Sequence, residues 1–288
     1  MIAVDPLPTD AIAARRRPLL LLSVFTVEAI AAWVLSTPWG EAISGIVGAH
    51  PDGDRALWWS RGHLLIGDFL GRHHGTVTAL FRATMVGLAA YFVLSLFTLG
   101  ALLGALSDAP RFSLRRAAAR GGELFGRLAL IEAVAIFAIG VVVALVGVIP
   151  AMIISGRTST LHDPRVALCI DAIPLVFAAL AAVYLFSLFD LARAIVARHD
   201  RTAMRAIFLS MRAPGAVSSQ VALSIPRWVA SAGLVGFGAA FSTASASVTL
   251  IFLVHQAVAF ARLALRGSIL ARALRLSDVA DVAPPGDR

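Results

Sequence analysis

Six apolar blocks, each about as long as a helix that crosses a bilayer, constrain this chain more than any other feature. They fall at 18–37, 84–106, 124–149, 166–191, 226–245 and 248–265. At 1.5 Å per residue, a helix of about 20 residues covers about 30 Å of hydrocarbon. A water-soluble helix of that length would carry polar residues along one face, and most of these blocks do not. The rest of the composition follows: 59% of residues are hydrophobic and 15% charged, against about 25% charged in soluble domains. The fold expected is therefore an all-α integral membrane protein. It is a six-transmembrane-helix bundle, with amphipathic helices in the first outer segment and in the cytoplasmic connections, forming a single membrane domain over 1–288.

Orientation is read from arginine. The formal charge is +8, and all 25 basic residues are Arg, with no Lys. Six of them (Arg55, Arg61, Arg72, Arg82, Arg157 and Arg165) fall in segments that alternate with the remaining 19. Under the positive-inside rule this places both termini in the cytoplasm. The assignment is thus a multi-pass protein of a bacterial inner (plasma) membrane, because Arg in place of Lys beside abundant Ala and Gly fits a GC-rich bacterial genome. Residues 1–17 form a cytoplasmic tail, 38–83 an outer segment and 277–288 a flexible cytoplasmic tail. The first block, preceded by Arg15, Arg16 and Arg17, is read as a retained anchor and not a cleaved signal, since further spans follow it. The basic excess is explained by topology, so no nucleic-acid partner is expected. Cys169 is read as a small buried hydrophobe. The general layout resembles that of six-span bacterial inner-membrane proteins and carries over no site residues.

Between the blocks, Met204, Ile207, Phe208 and Met211 recur at i, i+3, i+4, i+7, with Arg198, Arg201, Arg205 and Arg212 opposite. The pattern predicts an amphipathic helix lying on the inner leaflet or packed on the bundle ends. Asp190 and Arg193, three apart, read as a surface ion pair of small value. Pro150 reads as the stop of the third helix, and Pro174 as a kink. Residues 113–117 and 202–206 read as matching basic helical segments of two parallel repeats. In the outer segment, 63–81 reads as an interfacial helix with Gly67, Gly71 and Gly75 as a smooth stripe, and Trp39 suits the membrane boundary.

Ionisable residues inside the blocks are the candidates for function, because each costs ~2.5–3.5 kcal/mol at mid-membrane on insertion scales. They are Glu28, Glu132, Asp171, His255 and Arg262, with the neutral but polar Gln256 beside them as a further candidate. His255, Arg262 and Arg266 share a helix face that could meet Glu28 and Glu132, as a proton or substrate path or as polar glue between helices. Five outer histidines, His50, His63, His73, His74 and His162, are candidate metal ligands, although their spacing fits no metal motif. No nucleotide, nucleophile or zinc-protease motif occurs, so no catalytic residue and no cofactor is assigned. Small-residue faces are plentiful: Gly100 and Gly104; Gly140 and Ala144; Ala232, Gly236 and Ala240. Such faces let helices approach closely, within the chain or with a membrane-protein partner or second copy, and they put the fifth helix at the bundle centre. The expected role is a non-enzymatic subunit or scaffold of an envelope or transport complex, in contact with the lipid bilayer. The alternatives are a small transporter or channel using Glu28, Glu132, His255 and Arg262, and an outer-face metal-dependent enzyme.

Overall fold

The computed structural model describes residues 18–48, 71, 74–107, 113–158, 164–244 and 248–282. In chain order the helices are α1 (Pro18–Gly48), α2 (His74–Ser107), α3 (Leu114–Val142), α4 (Ile149–Thr158), α5 (Pro164–His199), α6 (Ala203–Arg212), α7 (Pro214–Ala244) and α8 (Val248–Val282). A π-helical turn, Val143–Val148, joins α3 to α4 in one rod. No strand occurs among the described residues. Six helical segments are long and apolar enough to cross a membrane, so the chain is an all-α, multi-pass membrane protein in contact with lipid.

The chain divides into two compact units, one formed by 23–95 and the other by the residues before and after it. In the smaller unit α1 runs on through Pro38 to Gly48. The indole of Trp39 donates to Thr84 Oγ1 at 2.6 Å, tying α1 to α2, and Gly87 lets the Leu35 side chain lie against the α2 backbone. Residues 74–81 of the expected interfacial helix are the first turns of α2, and Gly71 and Gly75 have open space beside them.

In the larger unit, burial concentrates at the helix ends beside the Arg-rich connections. Every residue from 187 to 197 of α5 is buried, and a helix buried all round is a hub for its neighbours. It packs against α3, α6, α7 and α8, and Leu102, Leu103 and Leu106 of α2, Leu124, Leu128 and Ile131 of α3, Val217 of α7, and Leu270 and Leu274 of α8 are buried as well. The opposite halves carry their large side chains outward, as at Phe137 (74% exposed) and Leu168 (72%), where lipid replaces a protein partner. Cys169 is exposed on this same surface, and not buried as its apolar setting suggested; lipid accepts a small thiol as readily as a core does.

Several local readings change. Pro150 does not end the third helix, which continues to Thr158. The π turn just before it widens the coil at Val146, the carbonyl that the proline ring would otherwise strike. Gly147 of that turn is buried, and a Cβ there would fall 2.7 Å from Ala178 Cβ and 3.9 Å from Pro174 O. The wide turn therefore nests against the proline-bearing stretch of α5. Residues 114–117 are the first turn of α3, whereas 203–212 is a separate helix, so the two connections are not copies of one unit. The difference arises at Ala213, whose φ of −110 and ψ of 59 leave the helical region just before Pro214, which disfavours a helical residue ahead of it; at the other end, Asp200, with a φ of 51, closes α5.

The fifth span, α7, is not central. Ala232, Gly233, Gly236 and Ala240 are exposed, and a Cβ at Gly233 or Gly236 would meet nothing within 4 Å. Gly238 alone among these glycines faces a neighbour, with His255 and Val258 of α8 just under 4 Å from a Cβ built there. The tight turn at 245–247 between α7 and α8 lies outside the described residues.

Candidate functional site

The densest chemistry lies where α3, α5 and α8 meet. Asp190 is 2% exposed, embedded among Leu188, Phe189, Leu191 and Ala192. Arg266 of α8 approaches it end-on, donating from its two terminal nitrogens to the two carboxylate oxygens at 2.5 and 2.6 Å. Arg193, one turn along α5 and also 2% exposed, donates to Asp190 Oδ1. With its other terminal nitrogen Arg193 reaches Glu132 of α3 at 2.7 Å. Two carboxylates and two guanidiniums thus form a neutral chain through three helices. Bidentate Arg–carboxylate geometry is the strong form of such contacts, and charge balance is what makes burial of the group tolerable.

This corrects the reading of Asp190 and Arg193 as a surface pair of small value. The i, i+3 spacing was right and the environment wrong. A signal was present: the apolar run does not stop at these residues but continues through Ala194, Ile195, Val196 and Ala197, all buried. A charge flanked by apolar residues on every side of a helix has no solvated face to occupy.

Further ties flank the network. Arg198 of α5 holds Asp278 of α8 through Nε and Nη2 at 2.5 and 3.0 Å, with His199 3.4 Å from the same carboxylate. On the α3 side, Arg127 pairs with Asp200, and Arg120 donates to the Ala197 carbonyl at 3.3 Å. The pairings run in opposite directions along α3 and α5 and in the same direction along α5 and α8, as alternating spans require. Between α7 and α8, Gln220 donates to the Ile269 carbonyl at 3.0 Å and Arg272 to Ser219 at 3.1 Å.

The intramembrane candidates separate into several places. Glu132 belongs to the three-helix network. The shared face of α8 is divided: Arg266 turns to α5, while His255 and Arg262 turn to α7. His255 Nε2 lies 2.8 Å from Ser242 Oγ and 3.3 Å from the Gly238 carbonyl; Arg262 donates to Ser231 Oγ at 3.0 Å. Gln256 is half-buried on α8, and Asp171 half-buried near the start of α5. Glu28 lies in the smaller unit, within electrostatic reach of Tyr91. His255→Ala is accordingly expected to lower stability by only ~0.6 kcal/mol, the average for interhelical hydrogen bonds in membranes; thermal unfolding in detergent reads this directly.

Of the outer histidines, His50, His63, His73 and His162 lie outside the described residues. His74 is exposed at the start of α2. Among the described residues no group of three or more His, Cys, Asp or Glu side chains could hold a metal ion. Compared with known proteins, the chain matches no family model, no curated protein and no solved structure.

Proposed function

We propose that the chain is a structural subunit of a bacterial inner-membrane assembly, a helical platform with both termini in the cytoplasm. The observation that carries this reading is the way its ionisable residues are used. Glu132, Asp190, Arg193 and Arg266 are spent on one another across three helices, and His255 and Arg262 on the neighbouring helix. Groups tied in this way lock helices together; a transport path needs groups that exchange partners with a passing ion or solute. The small-residue face of α7, exposed along Ala232, Gly236 and Ala240, adds a surface of the kind membrane helices use for close association. The cytoplasmic placement of the termini rests on the arginine distribution.

The test is the assembly state of the full chain extracted from a bacterial membrane in native lipid particles. A complex of fixed stoichiometry, with itself or with a second membrane protein, is expected, and Gly236→Phe should break it while leaving the monomer folded. A monomer insensitive to Gly236→Phe, coupled with solute uptake in proteoliposomes that falls on Glu132→Gln, would replace this reading with transport.

A further inference from the structure

The short helix α6 has three faces, not two. Ala203, Ala206, Ile207 and Ser210 are buried against the bundle, where α6 packs on α3, α5, α7 and α8. Met204, Phe208 and Met211, spaced i, i+4, i+7, form a separate strip and are 61%, 49% and 57% exposed. Arg205 and Arg212, both exposed, form the third strip. At 100° per residue the Met/Phe strip lies about 120° from the buried face and about 80° from the Arg strip. The sequence pattern had grouped Ile207 with Met204, Phe208 and Met211; the fold takes Ile207 into the bundle and leaves the other three outside.

We propose that this outer strip seats α6 in the anionic phospholipid headgroup layer of the leaflet on the Arg-rich side. Four observations point to this occupant. First, α6 falls between two candidate membrane spans, the one that ends at His199 in α5 and the one that begins at Pro214 in α7. Second, the apolar strip is bordered on its open side by cations, the arrangement of helices that lie in an anionic interface with the apolar side sunk among acyl chains. Third, the Arg212 guanidinium lies 4.0 Å from the Phe208 ring centroid. That position holds the charge at the seam between apolar and polar strips, where a lipid phosphate would sit. Fourth, Arg201 stands two residues before the helix, so the basic character extends along the chain toward α5. A leaflet rich in anionic lipid would therefore hold the α5–α7 connection, and with it the buried end of α5, in a fixed position.

The experiment uses the full chain with Cys169→Ser as background and nitroxide labels placed singly at Met204→Cys, Phe208→Cys and Arg205→Cys. The protein is reconstituted in phosphatidylcholine bilayers with and without phosphatidylglycerol. Labels at 204 and 208 are expected to show a several-fold higher ratio of oxygen to nickel-chelate accessibility than the label at 205, with the difference growing when phosphatidylglycerol is present. Adding Arg205→Gln and Arg212→Gln to the labelled 204 protein should abolish that growth. All three sites are exposed, so the fold survives labelling, and unchanged thermal unfolding verifies this. Equal nickel accessibility at 204 and 205 would overturn the proposal. So would shielding of 204 from both reagents, which means a protein covers the strip, or a depth at 204 indifferent to phosphatidylglycerol.

Discussion

Asp190→Asn is expected to cost about 3–5 kcal/mol of folding stability, the usual penalty for removing one partner of a buried ion pair. The substitution keeps the shape and removes only the charge. What remains is one carboxylate, Glu132, facing two guanidiniums, one of them within a side chain 2% exposed. Native stabilities are of order 5–15 kcal/mol, so the variant should unfold at a clearly lower temperature in detergent and yield less protein. A compensated variant separates charge from packing. Asp190→Leu with Arg266→Met leaves Glu132 and Arg193 as a neutral pair, and should recover most of the loss, because an apolar replacement of a buried pair is often neutral or better. If Asp190→Asn unfolds within ~1 kcal/mol of the parent, the range of exposed pairs, the network does not hold the helices together.

The second large effect concerns two adjacent glycines of α3. A Cβ at Gly121 would lie 2.8 Å from the Phe97 carbonyl oxygen of α2, a backbone atom with nowhere to go. Gly100 stands opposite, where an added Cβ would sit 3.1 Å from Gly121 Cα, so the two backbones touch. Gly122, one residue on, would place its Cβ in open space. Gly121→Ala should therefore push α2 off α3 and cost about 1–3 kcal/mol, as overpacking does. Gly122→Ala should raise stability by about 0.5–1 kcal/mol, because alanine loses less conformational entropy in a helix. Opposite signs from identical substitutions at neighbouring positions, read by denaturation in one detergent, would be hard to obtain from any other packing. Equal shifts would refute the contact.

Much of the fold was legible because lipid imposes a coarse rule. Every backbone polar group must be satisfied inside its own segment, which leaves helices as the form for long apolar blocks. The readings that failed did so where two environments share one pattern. Asp190 and Arg193 at i, i+3 suit water and a bundle interior alike, and only Arg266 and Glu132, 76 and 61 residues away, decide between them. Pro150 obeys its rule in sequence, yet a π turn of six residues absorbs it, since Gly147 and Ala178 fit closely once the coil widens. The small residues of α7 suggested a central helix, but smallness only permits approach; α8 uses Gly238 and leaves Gly236 open.

By itself, the order of residues determined the number of spans, the alternation of the chain and the side on which arginine gathers, because these depend on segment length and charge, which are local sums. Which charges are buried, which face of α6 is spent on the bundle and which glycines touch backbone were decided only by tertiary structure. Those outcomes depend on residues distant in the chain arriving at one place, and no periodicity within a single helix encodes its neighbour.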